Sequence, residues 1–346
     1  MASCRHTDWI EVSRSSRHVR LSDPGRFDRL VKKLKRSANQ FPQIVLCIGK
    51  EEKRKLVTKT ILNRASRVTR STRAAVPSSG GLTSIFSDES QSEDDHPIFF
   101  ADYRLGSTIP EKRPYKCHET RSVPNTWPLE QPDIHGSVLT RLLFPFSDLV
   151  CLFADDLGGV DAVLDHMENW CAVEPTTDLT NFARRALPRV CIIASGSFTP
   201  SSQIQDEAWR SRLDRLSYLD HFSSVQILRF DRDTDTDFHK NFRFLLTNEL
   251  ETSCVLKKKH QIQFSADHLA GFFSQATLHL AADPGRRFSF LAASRAYRPV
   301  SSAYPEQIRA LLCNRARYGV GFDDIATLVA SCFVLDAYPN ACHSTY

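Results

Sequence analysis

Five short runs of aliphatic, aromatic and thiol side chains recur along this chain, each followed by a polar or helical stretch. They are QIVLCIG (residues 43–49), PIFFAD (97–102), SDLVCLFADD (147–156), LPRVCIIAS (187–195) and SSVQILRF (223–230). Continuous apolar runs of this length, rather than alternating ones, belong to strands buried on both faces. Buried strands separated by helices are joined by right-handed crossovers into a parallel sheet. The sequence therefore predicts an α/β fold: a mainly parallel sheet of about five or six strands with helices on both faces.

The helical segments carry their own periodicity. In SDPGRFDRLVKKLKRSANQFP, Phe27, Leu30, Val31 and Leu34 recur at helical spacing, which predicts a helix over 26–37 with its lysines outside. GGVDAVLDHMENWCA places Val160, Val163, Leu164, Met167 and Cys171 on one face, and residues 202–220 read as a charged amphipathic helix. Beyond residue 237 only helical spacing is found, in DFHKNFRFLLTNEL, SADHLAGFFSQATLHLAA, PEQIRALLCNRAR and FDDIATLVASCFVLDAY. The expected organisation is a basic N-terminal tail over 1–21, an α/β domain over 22–237 and an all-α extension over 238–346. Within the α/β domain, the Gly/Ser/Asp-rich stretch 71–95 is expected to be a long mobile loop.

Composition narrows the class. With 41% hydrophobic and 10% aromatic residues in 346, the chain is globular rather than disordered. No stretch approaches the ~20 apolar residues of a membrane span. The N-terminus lacks the apolar centre of a secretory signal, and Asp8 and Glu11 weaken a transit-peptide reading of its Arg/Ser content. Ten cysteines without a CxxC predict reduced thiols in a cytoplasmic protein, without zinc. His166, His268 and His279 lack HExxH spacing, so no metal role is assigned to them; His118 and Glu119 lie in a proline-rich loop.

Charge is unevenly placed: residues 1–75 carry 19 Lys/Arg against 6 Asp/Glu, and the remainder 26 against 34. A basic N-terminal face docking on the chain's own acidic part explains this. The alternative is an anionic membrane or nucleic acid as partner. No aromatic residues are interleaved with the basic ones, which disfavours nucleic acid; a peripheral membrane contact stays open.

Ligands of open α/β sheets bind at the C-terminal ends of the strands, here Gly49, Asp102, Asp155/Asp156 and Ser195. The acid pair, followed by glycines, reads as a cap for the next helix. On the phosphate-loop frame GxxxxGK[ST], Gly49 and Lys55 are in register. The second glycine is replaced by Arg54 and the magnesium-binding hydroxyl by Leu56, while Glu51 and Glu52 would repel phosphate.

The order FPQIVLCIG…K, LTSIFSD, PIFFAD, FSDLVCLFADD, LPRVCIIAS resembles the N-terminal GTPase-like P-loop module of large fungal proteins in which it precedes a patatin-like phospholipase or other effector domain. The resemblance covers roughly residues 26–230. FSADHLAGFF and VLDAYPNACH resemble the helical connector that follows. It implies a P-loop GTPase-like fold, with Lys55 as the loop lysine, Thr83 or Ser84 as the switch hydroxyl and Asp102 as the acid that holds Mg²⁺ beside GTP. Gly49, Lys55, Thr83, Ser84 and Asp102 are thus the candidate nucleotide site.

The departures are severe. The γ-phosphate sensor reads Asp102-Tyr-Arg-Leu105, with Gly106 one place late, and the guanine-reading motif is absent after the fourth strand. No GxSxG nucleophile elbow is present in this sequence. Loss of these parts predicts a catalytically degenerate module without a bound cofactor or catalytic residues. Its role is then regulatory or scaffolding, with a protein or an effector domain as partner rather than a small molecule. The enzyme alternative is an NTPase with an unorthodox site for GTP or ATP using Lys55, Thr58 or Thr60, and Asp102.

Overall fold

The computed structural model describes residues 8–14, 18–50, 82–87, 92–105, 121–122, 127–128, 134–172, 187–196, 207–213, 221–230, 235–260, 262–284, 288–290, 292–293, 301–317, 319 and 321–337. Its strands are β1 (Asp8–Arg14), β2 (His18–Asp23), β3 (Gln43–Ile48), β4 (Thr83–Ser87), β5 (Ile98–Tyr103), β6 (Arg121–Ser122), β7 (Trp127–Pro128), β8 (Leu149–Phe153), β9 (Arg189–Ser195) and β10 (Ser224–Phe230). They form one sheet in the order β10-β9-β8-β3-β5-β4-β1-β2-β6, with β7 also pairing to β2. From β10 to β5 the pairing is parallel, as the apolar runs predict; β4, β1 and β2 extend the sheet by antiparallel pairing.

The helices are α1 (Arg26–Val31), α2 (Ile134–Val138), α3 (Ala154–Leu157), α4 (Val160–Ala172), α5 (Asp235–Lys259), α6 (Ala266–Ala282), α7 (Tyr304–Arg317) and α8 (Phe322–Ala337). Residues 207–213 are helical as well, within the expected 202–220. The period-2 alternation of each strand divides the core between two faces. Ile44, Leu46, Ile48, Phe99, Ala101, Val150, Leu152 and Ile192 point to one side, where α1, α4 and α6 cover them. Val45, Cys47, Phe100, Cys151, Cys191 and Ile193 point to the other, where Phe242, Leu246 and Leu250 of α5 close the layer. Two helices of the segment expected as a C-terminal extension therefore cover the sheet, α5 on one face and α6 beside α1 and α4 on the other.

Helix α1 is shorter than the predicted 26–37, ending at Val31 and passing through turns into a 3-10 turn over Ser37–Asn39. Its apolar stripe behaves as expected. Phe27, Leu30 and Val31 are buried and Leu34 partly so, while Lys32, Lys33, Lys35 and Arg36 are exposed. Lys35 pairs with Glu93, and Arg36 with Asp95 at 2.9 Å, so part of the basic N-terminal region does meet the chain's own acids.

Two expectations need correction. The stretch 1–21 is not a tail throughout: β1 and β2 form an antiparallel hairpin that buries Trp9, Ile10, Val12, Val19 and Leu21. The indole of Trp9 stacks on Phe273 of α6, with centroids 4.5 Å apart. Likewise 71–95 is not a continuous loop, because residues 83–87 form β4 and bury Thr83, Ser84 and Ile85. Residues 71–81 and 88–91 lie outside the described residues.

Asp148, just before β8, fastens the opposite, N-terminal end of the sheet. Its carboxylate accepts from the Ile44 N–H at 2.8 Å and the Ser253 hydroxyl at 3.2 Å, and pairs with Lys257 at 2.7 Å. Its own N–H donates to Ile44 O, and its carbonyl accepts from Arg189 N–H. A buried carboxylate is tolerable only with partners such as these.

Candidate functional site

The chain moves to opposite sides of β3 as it enters β5 and β8, which makes the C-terminal end of β3 the switch point of the sheet, where a ligand crevice forms. Gly49 follows that end. Parallel pairing sets Cys47 opposite Asp102, and antiparallel pairing of β4 sets Ser84 opposite Asp102 on its other side. Residues in register across a sheet share a face. Gly49, Ser84 and Asp102, from three separated stretches of sequence, thus meet at one end of the sheet.

Thr83 does not join them. One residue out of phase with Ser84, it faces the other side, where its hydroxyl oxygen accepts from the Ile10 N–H at 3.0 Å and is fully buried. Its role is to hold the N-terminal hairpin to β4. Lys55, with Arg54, Leu56, Thr58 and Thr60, lies outside the described residues, as do His118 and Glu119.

The acid pair after β8 ties neighbouring strand ends together. Asp155 and Asp156 occupy the single turn α3, which Gly158 and Gly159 close at φ 98° and 101°, values that favour glycine. Oδ2 of Asp156 accepts from the Lys50 N–H at 2.7 Å. Oδ2 of Asp155 accepts from the Ser195 N–H at 3.2 Å and from the Ser195 hydroxyl. The ends of β3, β8 and β9 are cross-tied by carboxylates to backbone amides. The short α3 turns both side chains toward the flanking strand ends.

Asp8 extends the row on the far side of Ser84, opposite it in register. The register shift between Asp8 and Ile10 then brings Glu11 to the same side of the sheet as Asp8. Burial and the neighbouring Asp8 push the Glu11 carboxyl up from its ordinary 4.5 to about 7.

A phosphate loop offers backbone N–H groups to an anion, and the amide following Gly49 is already engaged by a carboxylate of the chain itself. One of the two switch-hydroxyl candidates is locked into the sheet. Carboxylates at Asp8 and Asp102 flank the other.

The histidines singled out in the sequence make local contacts. His166 stacks on Trp170 at 5.8 Å, the Ser265 hydroxyl lies 2.6 Å from His268 Nδ1, and His279 meets the ring of Phe288 edge-on. Among the described residues no group of three or more His, Cys, Asp or Glu is placed to hold a metal ion. No described helix is long and apolar enough to cross a membrane.

One further pair of side chains meets away from this end of the sheet. His96 sits just before β5 and Cys254 on α5, and the chain separation of 158 residues left no local signal to join them. No family model matches this sequence, and no curated protein is significantly similar to it.

Proposed function

We propose that this chain is a GTPase-like α/β module whose nucleotide site has decayed and which acts through protein contacts as a regulatory or scaffolding unit. The observation that carries this reading is the Lys50–Asp156 hydrogen bond at the switch point of the sheet. The surrounding frame is what a phosphate-loop fold uses: a central strand ending in glycine, with an acid-bearing strand parallel beside it. Into that frame the chain has set its own carboxylate at the amide an anion would seek. Resemblance to the module preceding a patatin-like hydrolase supplies a source for such a frame and makes an effector domain the natural partner.

A surface for a partner is available on α8. Phe322 is 75% and Leu328 45% exposed, whereas Ile325 is buried. Exposed apolar side chains on one helix favour a protein contact.

The test is Mg²⁺-dependent phosphate release from GTP and ATP by the purified protein. The expected result is none above a protein-free control, and no change in Lys55→Ala. Hydrolysis by the unmodified chain that Lys55→Ala abolishes would restore the enzyme reading and end this one.

A further inference from the structure

At the end of the sheet opposite the decayed site, α5 crosses the segment leading into β5 and brings a thiol against an imidazole. Cys254 Sγ lies 3.6 Å from His96 Nε2, and both residues are half-buried rather than sealed. His96 Nδ1 lies 3.2 Å from the carbonyl oxygen of Phe41, an acceptor only, and 3.4 Å from the Gln263 amide nitrogen; the shorter contact favours the proton on Nδ1. Nε2 is then the basic nitrogen of the neutral ring; the thiol sulfur lies 3.6 Å from it and 3.9 Å from Nδ1, over the same side of the imidazole. The Gln263 side-chain amide, which touches His96 as well, donates to Cys254 Sγ at 3.4 Å. A thiolate there would have a cation and an amide donor directed at it.

The thiol also has an approach. A cavity of about 50 Å³ is lined by Cys254, Gln43, Lys257, Gln263, Phe264 and Phe290, among others. About 10–15 Å³ of such space holds one water, so small polar molecules have room beside the thiol.

We propose that Cys254 and His96 form a peroxide-reactive thiol site, at which hydrogen peroxide converts Cys254 to a sulfenic acid. Transfer of the thiol proton to His96 Nε2 gives a thiolate beside an imidazolium. The thiolate sulfur attacks one peroxide oxygen; an S–O bond forms and the O–O bond breaks. The departing hydroxide takes the proton from His96 Nε2 and leaves as water. Sulfur is oxidised by two electrons, the peroxide is reduced by two, and His96 returns to its neutral state. A thiol reductant reverses the change.

The charges around the pair favour the separated form. The hydrogen bond from His96, opposed by burial, brings Cys254 below its ordinary value; contact with Cys254 raises His96, to which Asp95 adds. Asp148 acts against the thiolate, but Lys257 neutralises it at 2.7 Å. The other thiols of this sheet face behave differently. Cys47, Cys151 and Cys191 stand in register across β3, β8 and β9. Burial pushes Cys191 up to about 12, and contact with Cys47 together with burial holds Cys151 well above the ordinary thiol value. Those three are packing residues.

The experiment treats the full chain with hydrogen peroxide in the presence of a cyclic 1,3-dione that traps sulfenic acid, and quantifies each cysteine by peptide mass spectrometry. Exposed Cys313 is the internal reference. At about pH 6.5, where an ordinary thiol is only about 1% ionised, Cys254 should be trapped roughly tenfold faster than Cys313. Iodoacetamide alkylation of the unmodified chain should show Cys254 titrating at lower pH than Cys313. His96→Asn should move both readouts for Cys254 to the level of Cys313 or below, leaving Cys313 unchanged. Equal rates and equal pH profiles for the two cysteines in the unmodified chain would overturn the proposal. So would a Cys254 rate indifferent to His96→Asn.

Discussion

The Lys50 N–H donates to Oδ2 of Asp156 across 2.7 Å, joining the end of β3 to the first turn after β8. If that carboxylate takes the place of a lost phosphate, its contribution is structural. Asp156→Ala should destabilise the fold by about 1 kcal/mol, below the usual range for a charged acceptor because the bond is solvent-exposed. Urea denaturation measures that loss. Titration calorimetry of the same variant with GTP and Mg²⁺ should still show no heat of binding, since Arg54 and Leu56 replace the second loop glycine and the magnesium-binding hydroxyl whatever occupies position 156. Saturable GTP binding by Asp156→Ala would mean that one residue masks an intact site.

The buried carboxylate of Asp148 joins β3, β8 and α5 through Ile44, Ser253 and Lys257. Removing it strands a half-buried ammonium and a buried backbone N–H. Asp148→Ala should cost about 3–5 kcal/mol, the range for breaking one side of a buried pair. Ser253→Ala, which removes one neutral donor and leaves the ion pair, should cost about 1 kcal/mol. Comparable losses in both variants, read from denaturant midpoints, would show that the ion pair contributes little.

The five parallel strands were legible because burial on both faces forces near-continuous apolar runs. The N-terminal hairpin was not, for the opposite reason. In β1 and β2 buried Trp9, Val12, Val19 and Leu21 are separated by charged or polar residues, and the high Lys/Arg count of the region outweighs that pattern. Strand β4 is brief and sits among serines and glycines, so its Ile85 and Phe86 lacked a recognisable frame. Helices α5 and α6 were visible as helices, but periodicity tells which side of a helix is apolar and not what lies against it. At the site, the switch-point rule located Gly49 and Asp102. It could not say that Thr83 would be turned away by the strand pleat, or that Asp156 would reach Lys50. Nor could spacing join His96 to Cys254.

Trp9 and Phe273 test how firmly the hairpin belongs to the domain. Their rings stack at 4.5 Å with an interplanar angle of 26°, and Phe27 packs against both. Truncating either to alanine should cost about 3–5 kcal/mol, the usual range for a large buried aromatic. A double-mutant cycle should return about 0.5–1.5 kcal/mol of coupling, the aromatic pair's share beyond burial. Losses below about 1 kcal/mol from Trp9→Ala would put the hairpin outside the cooperative unit.

Glu11 gives the fold a pH dependence of its own. One carboxylate oxygen is buried with no hydrogen-bond partner among the described residues, and Asp8 adds its charge on the same side. Burial disfavours the ionised form, so the folded chain keeps this proton up to about pH 7, whereas the unfolded chain releases it near the ordinary 4.5. Between those values the folded state binds more protons, and its contribution to stability falls as pH rises. Below 4.5 both states are protonated and the effect vanishes; above 7 the full penalty is present. Glu11→Gln keeps the shape and removes the charge. At about pH 8 it should stabilise the protein by roughly 1–2 kcal/mol, a figure reduced from the full shift because the side chain retains some solvent. At about pH 4 the two proteins should unfold at the same urea concentration. A Glu11→Gln effect of equal size at both pH values would assign the change to packing rather than ionisation, and a destabilised variant at pH 8 would mean that the carboxylate has a cationic partner.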